Sequence, residues 1–166
     1  MAEKETYRLT VLLELREKKK EEAERYLGEC LQALKKEADR LAEMEAELKR
    51  MITKREGKQR EYSEKVMRGE MSAQEAISAN KYVERMKEQE DLKKEEIQGQ
   101  KKVVAQREQD VEGARADLIK ANQDLKALEK HREKWQAQVR KEAATKEEEM
   151  LEEIAQTIFL TQDERK

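Results

Sequence analysis

The sequence predicts an all-α fold, a long antiparallel two-helix coiled-coil hairpin with an overhanging C-terminal helical end. Three observations carry that prediction. Asp, Glu, Lys and Arg make up 46% of the 166 residues, aromatics 4%, and proline is absent. A globular domain carries about 25% charged residues, so an ordinary single-core enzyme is disfavoured. Second, the apolar residues recur three and four apart over long stretches, a pattern that disordered charge-rich chains lack. Third, that recurrence weakens once, near the middle, beside two glycines and a helix-capping signature.

The first arm is read over about residues 4–67. Leu9, Leu13, Ala23 and Leu27 share one stripe, with Arg16 and Lys20 in its intermediate slots. From Leu27 onward, Leu31, Leu34, Ala38, Leu41, Leu48 and Ile52 continue it, with Glu45 as the polar slot. The two stretches join with one phase slip near Leu27, which implies a local drift of the stripe around the helix. The lone cysteine, Cys30, excludes an internal disulfide and suits a reducing compartment.

The turn is expected at about 67–72. Gly69 supplies a residue free to adopt unusual dihedrals. Ser72 followed by Glu75 forms a capping box, in which hydroxyl and carboxylate satisfy orphan backbone N–H groups of a new helix. The second arm, about 72–160, has the more regular seam. From Val83 to Val139 the seam positions alternate three and four apart, and only Glu90, Lys93, Gln100, Arg107 and Arg132 among them are polar. A seven-residue repeat held this long implies a supercoil with a partner helix. Polar seam residues weaken such a coil locally and can fix its register.

Helix rise makes the arms unequal, roughly 95 Å against 130 Å. Folded back antiparallel, paired residue numbers add to about 140 in such a helical hairpin. Tyr7 then falls near Trp135, where the two aromatics can pack together. Everything beyond about residue 137 overhangs, and a lone helix gains little without packing. The overhang holds the acidic run Glu147, Glu148, Glu149, Glu152 and Glu153. Leu151, Ile154 and Ile158, with Ala155 and Phe159 beside them, form one apolar face there. An apolar stripe without an internal partner fits helix-in-groove recognition, folding back or dimerisation being the alternatives. Residues 161–166 read as a flexible tail.

Catalytic chemistry is not visible. His131 is the single histidine and reads as a solvated surface residue among Lys and Glu. There is no metal-ligand spacing and no Gly-rich phosphate loop. A two-helix hairpin offers no pocket to shift a carboxylate pKa. The expectation is a protein that is not an enzyme and binds no cofactor. With 37 basic and 39 acidic residues interspersed, no basic stripe points to nucleic acid. No apolar run approaches the roughly 18 residues of a membrane span, and no signal peptide is read, so a cytoplasmic location is expected. Tyr82, one residue before seam position Val83, reads either as a seam-flanking residue or as an exposed aromatic anchor.

The opening segment, Tyr7-Arg8-Leu9-Thr10-Val11-Leu12-Leu13-Glu14-Leu15-Arg16 followed by Glu22-Ala23-Glu24, resembles that of the FliJ/YscO family. So does the distal arm, with Leu128-Glu129-Lys130, Trp135, a Lys/Glu-rich run and Leu151-Glu152-Glu153-Ile154-Ala155. Order and spacing extend the resemblance over nearly the whole chain. It implies an antiparallel hairpin similar to the central stalk of rotary ATPases, serving bacterial type III protein export. On that resemblance the paired terminal ends bind the pore of a hexameric export ATPase, here through Tyr7, Leu9, Leu12, Leu13, Leu151, Ile154 and Ile158. The turn-proximal region faces an export gate membrane protein, with Tyr82 and Met86 matching the gate-facing aromatic and aliphatic. The next positions on that face, Gln89 and Lys93, depart from the smaller, less charged pattern of the family. Export chaperones are further implied partners. The implied place is cytoplasmic, peripheral at the base of a membrane secretion complex, and the isolated chain is expected to be a monomer. The distal Trp and long overhang look more like the injectisome branch, tied to virulence, than the flagellar one. Two rivals serve the same periodicity: a parallel homodimeric coiled-coil spacer without a turn, and a prefoldin-like holdase with a β-hairpin between its arms. Residues 57–72 lack the alternation that strands need.

Overall fold

A computed structural model describes residues 7–163. They form two helices, α1 (Thr10–Met67) and α2 (Ala73–Asp163), with no strand among the described residues. The fold is an all-α helical hairpin. The first residues of the first arm and the last three of the expected tail lie outside the described residues, and helix continues through Asp163 where a tail was expected from 161.

The turn is built by local chemistry. Gly69 adopts φ 67°, the left-handed conformation that closes a helix. Its N–H donates to the Val66 carbonyl (3.1 Å), and the Glu70 N–H donates to the Lys65 carbonyl (3.0 Å). This double closure is a Schellman motif, and it satisfies carbonyls that a helix end leaves orphaned. Three residues on, the Ser72 N–H donates to Glu75 Oε2 (3.1 Å) and the Glu75 N–H donates back to Ser72 Oγ (3.2 Å). The capping box is therefore formed in both directions. Because nothing lies within 4 Å of an added Cβ at Gly69 or Gly57, substitution there acts through the backbone alone. Gly69→Ala should destabilise by about 1–2 kcal/mol, the left-handed penalty. Gly57→Ala, inside α1, should stabilise by about 1 kcal/mol. Denaturant unfolding of the two variants checks the opposite signs.

The contacts divide the chain into two units. In the unit Arg25–Ala116, α1 and α2 pair antiparallel. Cys30, Val111 and Ala114 form its buried cluster, with Leu27 and Leu34 packed against it. Val83, Ile97 and Ala79 are buried farther toward the turn. The α2 seam follows the heptad, with one exception: Arg107 is exposed and bonds Asp110 on its own helix (3.4 Å). On α1 the upstream stripe runs on without a slip. Cys30, Leu34, Glu37, Leu41, Met44, Leu48, Met51 and Arg55 are buried or half-buried in unbroken three-four order, whereas Leu31 and Glu45 are exposed.

The polar seam residues explain how this phase is tolerated. Glu90 is 3% exposed and accepts from Arg55 Nε at 2.7 Å. Gln100 Nε2 donates to the Glu37 carbonyl (3.1 Å) and to Glu37 Oε2 (2.6 Å). Lys93 Nζ lies 2.7 Å from Glu47 Oε2. No large side chain among the described residues is fully buried. With so thin a seam, these cross-helix bonds weigh more in setting register than they would in a globular core.

The second unit contains residues 1–24 and 117–166. Its pairing is anchored by Leu13 and Leu125, both buried, and by Arg16 Nη1 on Asp124 Oδ2 (3.1 Å). Tyr7 stacks obliquely on Trp135, with ring centroids 5.1 Å apart and planes at 49°. A hydrogen bond of 2.7 Å joins Tyr7 Oη and His131 Nδ1. His131 is thus solvent-exposed and also tied to the other arm, a role that its charged surroundings in sequence did not disclose. Beyond Arg140 every described residue of α2 is exposed.

Candidate functional site

No cluster of His, Cys, Asp and Glu among the described residues has metal-site geometry. The surfaces with functional potential are apolar and helical, and two stand out.

The first lies on the C-terminal part of α2. Met150, Leu151, Ile154, Ile158, Phe159 and Leu160 are each 50–71% exposed. At about 100° per residue, Met150, Ile154, Ile158, Leu151 and Ala155 fall within one side of the helix. Glu148 and Glu152 border that side on one flank and Glu153 on the other. The side is rotated about a quarter turn from the seam that ends at Val139, so it is not a prolongation of the surface that meets α1. Leu151, Ile154 and Ile158 thus stand together in solvent.

The first residues of α1 are placed otherwise. Tyr7 and Leu13 are buried against the second arm, and Leu9 and Leu12 are half-buried. Their side chains are largely committed to holding the arms together. The apolar residues that face outward here are Val11, 76% exposed, and Leu15, one turn on. Their i,i+4 spacing, off the seam, was the sequence signal that identifies them.

The second surface lies in the unit containing the turn. Tyr82 is 37% exposed and Met86 half-buried. Together with Met51, Lys54, Arg85 and Gln89 they line an open groove of about 230 Å³. Its lining combines apolar side chains with two cations, Lys54 and Arg85. A larger hollow of mixed lining, about 540 Å³, lies nearer the turn between Tyr62, Val66, Met71 and Val83, with Gln59 and Asn80. Val66, Met67 and Ile77 remain exposed there. Gln89 lines the groove as well, whereas Lys93 turns to Glu47 and Glu96.

Ion pairs shift several groups near these surfaces. The bond from Lys93 holds the Glu47 carboxyl below its ordinary 4.5, and the same bond raises Lys93 above 10.5. Lys58, by its bond, and then Lys65 lower Glu61, and Glu61 raises Lys58. The sign of the linkage is fixed for Glu47 and Lys93. A lowered carboxylate contributes stability above its unfolded value and loses it as pH falls through the folded one. A raised amine contributes below its unfolded value and loses it as pH rises through the folded one. The melting-temperature difference between the wild type and Glu47→Gln should therefore be level between about pH 5 and 10 and vanish at both extremes. A thermal melt series across pH checks this.

These features define a coiled-coil hairpin with exposed apolar faces. The chain matches the family of YscO-like proteins over residues 4–166, and it belongs to that family. Membership makes it a protein related to type III secretion, within a family of structural secretion-apparatus proteins. Among solved structures it is similar to CT670 of Chlamydia trachomatis, a proposed YscO homologue. The identity is 22% and the TM-score 0.86, over 96% of this chain and 98% of the other. That likeness concerns the hairpin fold. No curated protein matches the chain significantly. No described helix is long and apolar enough to cross a membrane.

Proposed function

We propose that this chain is the stalk or coupling protein of a bacterial type III export apparatus. The observation that carries the proposal is the exposed stripe Leu151, Ile154 and Ile158, which projects beyond the paired part of the hairpin. In this reading the terminal ends engage the pore of a hexameric export ATPase. The stripe forms the main contact, and Leu9 and Leu12 contribute what they leave uncovered. Tyr7 and Leu13 act from within, by holding the arms together beside the contact. The groove at Tyr82 and Met86 meets the export gate membrane protein, and export chaperones are further partners. The chain acts mechanically, by biasing the ring's subunits in turn and linking them to the gate. It works in the cytoplasm, peripheral to the membrane complex, and the hairpin needs no second chain to complete its seam. The YscO-like match favours an injectisome, and with it a virulence role, over a flagellum.

Two features speak against the rivals. The Schellman closure and capping box pair the arms within one chain, which a parallel two-chain spacer does not need. The described residues between the arms form a tight turn without the strands of a holdase. Co-purification of the chain with the export ATPase encoded in the same cell tests the proposal. A stable complex is expected, and failure of the purified ATPase to retain the chain at micromolar concentration removes the stalk reading.

A further inference from the structure

The C-terminal stripe and the Tyr82 groove are chemically complementary. An exposed apolar face as broad as that of Met150, Leu151, Ile154 and Ile158 marks a surface that something covers. A second stripe is a poor cover. Residues 147–153 hold five glutamates and no cation, so two stripes face to face would juxtapose like charges. The groove presents the opposite balance. It is lined by Met51, Tyr82 and Met86 together with Lys54, Arg85 and Gln89. Residues 49–60 carry six cations and one carboxylate, and of the six Arg55 is paired with Glu90 and Lys58 with Glu61. The stripe lies on the C-terminal part of α2, and the groove is lined by α1 and α2 together.

We propose that the C-terminal stripe of one copy docks into the Met51–Tyr82–Met86 groove of a second copy. Leu151 and Ile154 meet the groove's apolar side chains, while Glu148, Glu152 and Glu153 face Lys54 and Arg85. Because stripe and groove are different surfaces, the contact is heterologous and can repeat from copy to copy. One helix on a groove of this size makes a small interface. The association is therefore weak, sensitive to salt, and populated where the chain is concentrated, while the dilute chain stays monomeric. This goes beyond the stalk reading and does not depend on it. If both hold, the contact covers the two surfaces assigned to the ATPase and the gate, so either partner displaces it.

Sedimentation equilibrium of the full chain, alone, from about 5 to 500 µM tests the contact. At low salt the weight-average mass should rise steadily above the monomer, and about 0.5 M salt should reverse the rise. A Lys54→Glu/Arg85→Glu chain and a Glu148→Lys/Glu152→Lys/Glu153→Lys chain should each associate at least tenfold more weakly. Mixing the two should restore association, since the exchanged charges match again. Circular dichroism confirms that both variants keep their helix. A wild-type chain that remains monomeric throughout overturns the proposal. So does association that survives Lys54→Glu/Arg85→Glu, which is the outcome a stripe-on-stripe dimer gives. No ATPase is present in these measurements, so their failure leaves the stalk reading standing.

Discussion

Replacing Leu151 and Ile154 together with aspartate is expected to abolish binding and stimulation of the cognate export ATPase while leaving the hairpin's melting transition in place. Both side chains stand in solvent, on a part of α2 that packs against no described residue of α1. Their loss therefore removes little folding energy, and surface changes of this kind usually stay within about 0.5 kcal/mol. At an interface the same side chains are anchors. Truncating a central apolar anchor costs about 2 kcal/mol or more, and burying a carboxylate in its place adds a desolvation penalty. Two such changes should weaken binding by a factor of about a thousand or more. The measurement is ATPase rate against added chain, with circular dichroism as the control for folding. Undiminished stimulation would remove the stripe from the mechanism. A parallel Val11→Asp/Leu15→Asp chain reports whether the outward face of early α1 shares the contact.

The largest stability effect is expected at Val111. It is 3% exposed, within the cluster formed with Cys30 and Ala114 and flanked by Leu27 and Leu34. Val111→Asp replaces apolar contact with a carboxylate in the best-buried stretch of the seam. The expected loss is about 3–5 kcal/mol, a large share of an ordinary domain's total stability. Leu31→Asp is the informative companion. Leu31 is 40% exposed, so its change should cost about 1 kcal/mol or less. Urea unfolding of the two variants tests the α1 register directly. Comparable losses at both positions would mean that Leu31, not Cys30, faces α2.

That contrast also shows where the sequence was legible. The turn could be read because its determinants are local: Gly69 supplies the left-handed residue, and Ser72 and Glu75 bond each other three residues apart. The seam of α2 could be read because apolar residues fill most of its slots. In α1 the expected stripe holds at Leu34, Leu41 and Leu48 and fails at Leu31 and Glu45, since Leu31 is the more apolar choice beside Cys30 and Glu37 interrupts the observed stripe. Glu37 is tolerated because Gln100, sixty-three residues away, donates to it twice. Periodicity within one helix carries no trace of such a partner. For the candidate surfaces, the overhang was legible because no partner stretch remained for it. The early residues of α1 were not. A run such as Leu12-Leu13 beside Val11 and Leu15 is apolar on several sides, and only the position of α2 decides which of them faces solvent.

Three of the cross-helix bonds in the turn-containing unit have a mechanical consequence. Glu37 with Gln100, Glu47 with Lys93 and Arg55 with Glu90 each join α1 to α2 at successive levels of the seam. A heptad slide would still set some apolar seam residues against one another, but it would break all three polar pairs at once. Shear along the helices of this unit therefore meets a latch rather than a smooth track, and a tug on one helix is handed to its neighbour without creep.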